Sequence, residues 1–244
     1  MTPASPRASI ITVVYNGATQ IARTLDSVLS QRGAEFEAVV VDGGSTDGTQ
    51  AVVQRYGSAI ARFVSEPDRG IYDAMNKGAT LARGEYVLMM NCGDVFADTD
   101  ALAAALAVAQ PGVEQVVFGA WERLEADERR VLCTPAPERA YFNHQAVLYS
   151  RSLHQRFGGY VSARGFSTAD YLFFCSLLAC PDVRRVVLQR TLACIDVRGV
   201  SAGLQTTSQK YAIDHLFGRA TRMQLLAVLA LHPAYHRLKR WFKG

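Results

Sequence analysis

Short apolar runs alternate with longer amphipathic segments along the first half of the chain. Uninterrupted β-branched and aliphatic runs are typical of buried strands, which we predict at 9–15, 36–41, 60–64 and 84–90. Apolar residues at helical spacing predict helices at 21–29, 71–81 and 101–109. Strands that alternate with helices in this way predict an α/β fold with a doubly wound, mostly parallel sheet.

The second half of the chain is less regular. Its strand-like runs lie at 113–121, 130–133, 146–149, 183–188 and 191–197. A short helix is expected after the third of these runs, and a longer one at 169–179. Because no linker composition separates the halves, we predict one domain over residues 1–244.

Bulk composition narrows the class of protein. The net charge of +4 is mild and the basic residues form no single block, which argues against nucleic-acid binding. Five cysteines without a C-x-x-C pair favour a reducing compartment. The N-terminus lacks a signal-peptide core, and the most apolar stretch, 225–231, is too short to span a bilayer. These features predict a cytoplasmic protein.

Acidic residues fall where strands end. Asp42 ends the second predicted strand, Asp94 follows the fourth, and Asp68 lies in the loop after the third. Ligands of open α/β sheets bind outside the carboxyl ends of the strands. We therefore expect these three carboxylates to converge at one edge of the sheet.

Five segments, taken in order, resemble the signatures of the family 2 glycosyltransferases, which have the GT-A fold. The first three read VVVDGGSTDGT at 39–49, SEPDRGIYDAMNKG at 65–78 and GEYVLMMNCGD at 84–94. The other two, NHQA at 143–146 and TADY at 168–171, resemble acceptor-side elements of bacterial polysaccharide and colanic-acid-type enzymes. The resemblance spans residues 9–200 and is specific because the whole set occurs together.

The resemblance implies an inverting transfer of a sugar from a nucleotide-sugar donor to a sugar or lipid-linked sugar acceptor in bacterial surface polysaccharide synthesis. UDP is the preferred nucleotide, GDP stays open, and the cofactor is Mn²⁺ or Mg²⁺. Residues 9–110 would form the nucleotide-sugar-binding half, 111–205 the acceptor half, and 206–244 a helical basic tail. That tail could contact an anionic membrane, or equally cover the core or a dimer seam.

The same resemblance implies roles for individual residues. Asp94 would bind the metal and Asp170 would be the catalytic base. Asp42 would contact the ribose or base, and Asp68 would contact the base. The remaining nucleotide-sugar contacts are expected from Thr12, Val13, Tyr15, Asn16, Lys77, Asn91, Cys92 and Gly93. Acceptor or diphosphate contacts are expected from His144, Gln145, Arg198 and Ser201.

Two positions depart from the family pattern. The metal motif supplies one acid, Asp94, where many relatives have two. Mg²⁺ keeps several waters and relies on substrate phosphates, so we expect the metal to bind mainly together with the nucleotide-sugar. Gly43 stands where many relatives carry an acid after Asp42, which leaves the choice of nucleotide-sugar more open.

Structural interpretations compete with each of these roles. Asp42 could simply end a strand, Asp68 could form a turn, and Asp170 could cap a helix. A sugar nucleotidyltransferase would need a Gly-, Arg- and Lys-containing loop after the first strand, and a dehydrogenase would need G-x-G-x-x-G there; the chain instead reads YNGATQ at 15–20. A non-catalytic nucleotide-sugar-binding module stays as the alternative from another class.

Overall fold

The structure is a computed structural model, which describes residues 5–125, 128–196 and 204–229. The strands are β1 Ala8–Val14, β2 Phe36–Asp42, β3 Arg62–Ser65, β4 Tyr86–Met89, β5 Val95–Phe96, β6 Gln115–Leu124, β7 Arg130–Cys133, β8 Val147–Ser150 and β9 Arg184–Asp196. The helices are α1 Ile21–Leu29, α2 Thr49–Gln54, α3 Ile71–Leu81, α4 Ala101–Val108, α5 Arg151–Phe157, α6 Ala169–Ala179 and α7 Leu204–Leu216. Residues 222–229 are also helical.

The strands of the described residues form one sheet in the order β3-β2-β1-β4-β8-β6-β9-β5, with β7 paired to β6. The strands of the first half, β3, β2, β1 and β4, are all parallel. Since their order reverses at β1, the sheet is doubly wound, as the sequence predicts. Beyond β4, antiparallel β8 and β6 carry the sheet into the second half, where β9 runs parallel to β6.

Helices cover both faces of the sheet, which explains why its central strands are apolar on both sides. On one face, Ile10 and Leu88 pack with α1 and α4. On the other, Ile11 and Met89 pack with α3 and α6. The two apolar layers are thus built from alternate residues of the same strands, and they hold the strand ends rigidly in place.

Two strands differ from the prediction. The strands predicted at 183–188 and 191–197 are wrong as separate elements, because β9 is continuous from Arg184 to Asp196. The pairing of β9 with β6 shifts register near Gly119 and Ala120, which indicates a β-bulge. The polar residues that predict a break therefore lie within the bulged strand. The two-residue strand β5, which pairs with β9, has no sequence signal of its own.

The C-terminal part packs on α6 through α7. Tyr171 on α6 donates a hydrogen bond to Asp214 on α7 at 2.7 Å, and Ile213 is buried against the same helix. Among the described residues, no helix has the length and apolar character needed to cross a membrane.

Candidate active site

A cavity of about 780 Å³ opens at the carboxyl edge of β1 and β4. Its walls come from the loops after those strands, the first turns of α3 and α6, a short 3-10 turn at His144–Ala146, and the end of β9. The cavity brings together most of the side chains predicted from the sequence: Val13, Tyr15, Asn16, Asp68, Asn91, Cys92, Gly93, Asp94, His144, Gln145 and Asp170.

Asp94 lies at the floor of this cavity and is almost fully buried. The Gln145 side-chain amide donates to its Oδ2 at 2.7 Å, and the backbone N–H of Asp196 donates to its Oδ1 at 3.1 Å. Burial raises the pKa of Asp94 to about 6 even though these hydrogen bonds and the nearby His144 lower it. A carboxylate that is costly to ionise in this way favours the approach of a cation.

Two amide oxygens beside Asp94 have no hydrogen-bond partner within the described parts of the chain. Asn91 Oδ1 and Gln145 Oε1 are both buried and accept no hydrogen bond. Carboxylate and amide oxygens suit Mg²⁺ and Mn²⁺, so this oxygen set fits a divalent cation. Within the described residues, however, no group of three or more His, Cys, Asp or Glu side chains is arranged to hold a metal.

Asp170 lies in the first turn of α6, where two side chains hold its carboxylate. His144 Nδ1 is 2.8 Å from Oδ2, and the Tyr72 hydroxyl donates to Oδ1 at 2.7 Å. Burial alone would raise the pKa of Asp170, but His144, Tyr72 and the Tyr171 backbone N–H outweigh it and lower the pKa to about 2. The carboxylate is therefore ionised throughout the physiological range.

Asp68 and Tyr15 form the opposite rim of the cavity. The Tyr15 ring is 66% exposed, which offers a flat apolar face to a ligand. Asp68 accepts a hydrogen bond from the backbone N–H of Gly70 at 2.8 Å. A Cβ atom at Gly43 would overlap the Asp68 carboxylate and touch the Tyr15 ring. Glycine at position 43 therefore makes room for Asp68, in the place where many relatives carry an acid.

Asp42 lies beneath this rim and outside the cavity lining, with no exposed surface. Its carboxylate accepts hydrogen bonds from the hydroxyls of Ser45 and Ser65 and from the backbone N–H of Ser45. Ser45 in turn accepts from the backbone N–H of Asn16 at 2.7 Å, so Asp42 ties the loops after β1, β2 and β3 together. Its predicted contact with the nucleotide stays a prediction.

The other predicted residues divide into three groups. Thr12 and Lys77 lie outside the cavity lining. Thr12 is buried within β1, and Lys77 forms ion pairs with Glu66 at 2.8 Å and with Asp73 at 3.6 Å. Cys92 lines the cavity, but burial raises the pKa of its thiol to about 12, which keeps it protonated and a poor ligand. Arg198 and Ser201 lie outside the described residues.

Sequence reasoning missed several side chains that line or support the cavity, among them the polar residues Tyr72, Arg123, Asp196 and Lys210. Tyr72 is separated from Asp170 by 98 residues, and its place in an apolar helix gives no sign of their hydrogen bond. Asp196 ends a strand, as Asp42 does, and the same strand-end rule would have selected it. The other two are basic residues in regions without a recognisable motif.

Comparison with known proteins places this architecture among enzymes of one family. Residues 9–164 match the model of glycosyl transferase family 2. An uncharacterized glycosyltransferase of Mycobacterium tuberculosis is 29% identical over 228 residues, covering 90% of this chain and 83% of the relative. A PGL/p-HBAD biosynthesis glycosyltransferase of Mycobacterium bovis is 30% identical over 174 residues, or 64% of each chain.

Solved structures share the fold. TarS 1-349 of S. aureus, determined in complex with UDP-GlcNAc, matches 93% of this chain and 71% of its own with a TM-score of 0.69 at 18% identity. The mannosyltransferase PcManGT of Pyrobaculum calidifontis, determined in complex with GDP-Man and Mn²⁺, matches 94% and 70% with a TM-score of 0.66 at 23% identity. The predicted fold is thereby confirmed. The chain belongs to glycosyltransferase family 2, and it is a glycosyltransferase with the GT-A fold.

Proposed function

We propose that the protein transfers a sugar from a nucleotide-sugar, preferably a UDP-sugar, to a hydroxyl of a sugar acceptor with inversion at the anomeric carbon. The observation that carries this proposal is that one cavity contains Asp68, Asp94 and Asp170. These are the groups needed to recognise a nucleotide, to hold a cation at a diphosphate, and to deprotonate a hydroxyl.

The nucleotide would lie along the rim formed by Tyr15 and Asp68. The exposed Tyr15 ring supplies a stacking surface, and the Asp68 carboxylate accepts hydrogen bonds from base or ribose. UDP is favoured because TarS, a structural relative, was determined with UDP-GlcNAc, whereas the complex of PcManGT with GDP-Man keeps GDP as the second choice.

Asp94 would hold Mn²⁺ or Mg²⁺, with Asn91 Oδ1 and Gln145 Oε1 as further oxygen ligands. When bound, the cation neutralises charge that develops on the leaving diphosphate. Because the metal motif supplies a single carboxylate, Asp94, the nucleotide phosphates would complete the site, and metal and nucleotide would bind together. The Mn²⁺ complex of PcManGT supports a divalent cofactor.

Asp170 would take the proton from the acceptor hydroxyl as that oxygen attacks the anomeric carbon. The forming and breaking bonds lie in line, so the configuration at this carbon inverts in a single displacement. His144 and Tyr72 hold both carboxylate oxygens in place, and each oxygen retains a lone pair for the incoming proton.

We further propose a lipid-linked sugar acceptor in bacterial surface polysaccharide synthesis, with the enzyme at the cytoplasmic face of the membrane. The helix at 222–229 exposes Met223, Leu226 and Leu229. The sequence that follows it, 236–243, is rich in basic and aromatic residues. Exposed aliphatic side chains next to a basic run match an anionic bilayer surface.

Thermal shift with a panel of nucleotide-sugars, each with and without Mn²⁺, tests the nucleotide-binding part of this proposal. A true substrate stabilises the folded state by mass action, about 2.7 kcal/mol at a hundredfold excess over Kd. We expect UDP-sugars to give the largest shifts, and only with Mn²⁺. Equal shifts without metal would contradict the cation site, and binding without any UDP release would identify a non-catalytic binding module.

A further inference from the structure

We propose that His144 is a positioning residue for Asp170, rather than a ligand of the diphosphate or the acceptor. The inference rests on the proposed function, in which Asp170 removes the acceptor proton. It assigns to His144 the task of holding that carboxylate at a fixed place relative to the cation-binding loop.

Both ring nitrogens of His144 are already engaged within the protein. Nδ1 lies 2.8 Å from Asp170 Oδ2, and Nε2 lies 3.0 Å from the side-chain nitrogen of Asn91. The His144 side chain is only 14% exposed. No ring nitrogen is therefore left to bind a substrate, although the imidazole lines the cavity.

The Asn91 contact assigns the proton positions on His144. An amide nitrogen donates and does not accept, so in this orientation Asn91 Nδ2–H donates to Nε2. A carboxylate oxygen only accepts, so Nδ1–H donates to Asp170 Oδ2 at 2.8 Å. The two contacts together fix the orientation of the imidazole ring between Asn91 and Asp170.

Asn91 connects this arrangement to the cation-binding loop. Its backbone C=O accepts a hydrogen bond from the Asp94 N–H at 3.0 Å, and its side chain contacts His144. A continuous series of hydrogen bonds therefore runs from the loop of Asp94 through Asn91 and His144 to Asp170. It spans the two sides of the cavity, where a misplacement of about 1 Å costs roughly a hundredfold in rate.

Two isosteric variants separate the contacts that His144 makes. The amide nitrogen of His144→Asn occupies the place of Nδ1 and keeps the contact to Asp170 while losing that to Asn91. His144→Gln reaches the place of Nε2, so it keeps the contact to Asn91 and loses that to Asp170. His215→Phe, at an exposed histidine of α7, serves as the matched control.

The experiment measures UDP release from a UDP-sugar with Mn²⁺, together with the Kd of UDP, for each variant in the wild-type and Asp170→Asn backgrounds. We expect His144→Gln to lower kcat by about 10- to 100-fold and His144→Asn to retain most of it. The Kd of UDP should change by less than about threefold for both variants. In the Asp170→Asn background neither substitution should lower kcat further, because a residue that acts through Asp170 has nothing left to position.

Three results would overturn the inference: a larger loss in His144→Asn than in His144→Gln, a weakened Kd of UDP with kcat unchanged, or an additive loss in the Asp170→Asn background. A protein that folds and binds UDP but whose Asp170→Asn variant keeps the full rate would instead refute the proposed function. UDP affinity also reports whether each variant is folded, so a loss of rate with UDP affinity retained is not a folding defect.

Discussion

The two sides of the cavity are built by different means. On the side that faces the predicted nucleotide, polar groups follow parallel strands and are held by partners in their own or adjacent loops, as Asp42 is by Ser45 and Ser65. On the other side, which we propose binds the acceptor and call the acceptor side, Asp170 is held by side chains from distant parts of the chain, Tyr72 on α3 and His144 in a 3-10 turn. Asp94 stands between them, with donors from both the Gln145 side chain and the end of β9.

The two sides should therefore respond differently to substitution. The packing of the buried parallel sheet fixes the positions of the strand-end groups, so changes in distant side chains should move these groups little. The proposed base, Asp170, depends on a few hydrogen bonds between segments that meet only in the folded protein. Substitutions on the nucleotide side should therefore change affinity, and substitutions among the partners of Asp170 should change rate.

The largest effect is expected at the junction of the two sides. Asp94→Asn removes the carboxylate of the predicted cation site while keeping its shape, and should lower the rate of UDP release on the order of 1,000-fold, about 4 kcal/mol. Calorimetry should show that Mn²⁺ no longer strengthens UDP binding. Asp100→Asn, the same change at an exposed position, serves as control. Retained Mn²⁺ dependence in Asp94→Asn would place the cation elsewhere.

The second effect concerns stability and lies outside the cavity lining. His154 is held by the Tyr149 hydroxyl at 3.2 Å and by Asn76 Oδ1 at 3.1 Å, and burial lowers its pKa to about 4 from the ordinary 6.5. Between these values the unfolded chain binds a proton that the folded protein excludes, so stability falls as the pH decreases. The cost from pH 7 to pH 5 is about 2 kcal/mol.

Urea unfolding of wild type and His154→Gln at both pH values isolates this contribution. Asp94 has the opposite effect: its pKa is raised in the folded protein, so protonation of Asp94 stabilises the fold as the pH decreases. This contribution is the same in wild type and in His154→Gln, so it cancels when the two proteins are compared. The wild type should therefore lose about 2 kcal/mol more than the variant on acidification. Identical pH dependence of the two proteins would exclude His154 as the source.

A smaller effect is expected on the nucleotide side. Gly43→Ala places a methyl group against the Asp68 carboxylate, so the Kd for UDP should rise by about tenfold, near 1.4 kcal/mol, with kcat little changed at saturation. In an Asp68→Ala background, where the space is vacant, the same substitution should have no further effect. Equal losses in the two backgrounds would show that Gly43 serves the loop and not Asp68.

The smallest effect is expected away from the cavity. Replacing the exposed Leu226 and Leu229 by glutamate adds negative charge to the surface that we propose for membrane contact. Flotation with anionic vesicles should fall severalfold, while UDP release in solution should stay unchanged. Equal flotation of the wild type and the variant would contradict a membrane contact through this helix.

The sequence predicts the groups that strand ends hold in place better than those held by contacts between distant segments. The strands and helices around Asp42, Asp68 and Asp94 follow from periodicity, since buried parallel strands are continuous apolar runs. The continuous strand β9 and the short β5 depend on pairing with each other and with β6, which no local pattern reports. The family resemblance indicates Asp170 but not its partner Tyr72, because their contact forms only when α3 and α6 pack together.

An inverting displacement assisted by Asp170 can be tested by following the hydrolysis of an α-linked UDP-sugar with Mn²⁺ by ¹H NMR, before the released sugar can mutarotate. Water then takes the place of the acceptor, so the acceptor need not be known. We predict that the β-anomer appears first and that Asp170→Asn slows its release on the order of 100-fold or more while UDP affinity is kept. Initial release of the α-anomer, or an unchanged rate in Asp170→Asn, would contradict an inverting displacement assisted by Asp170.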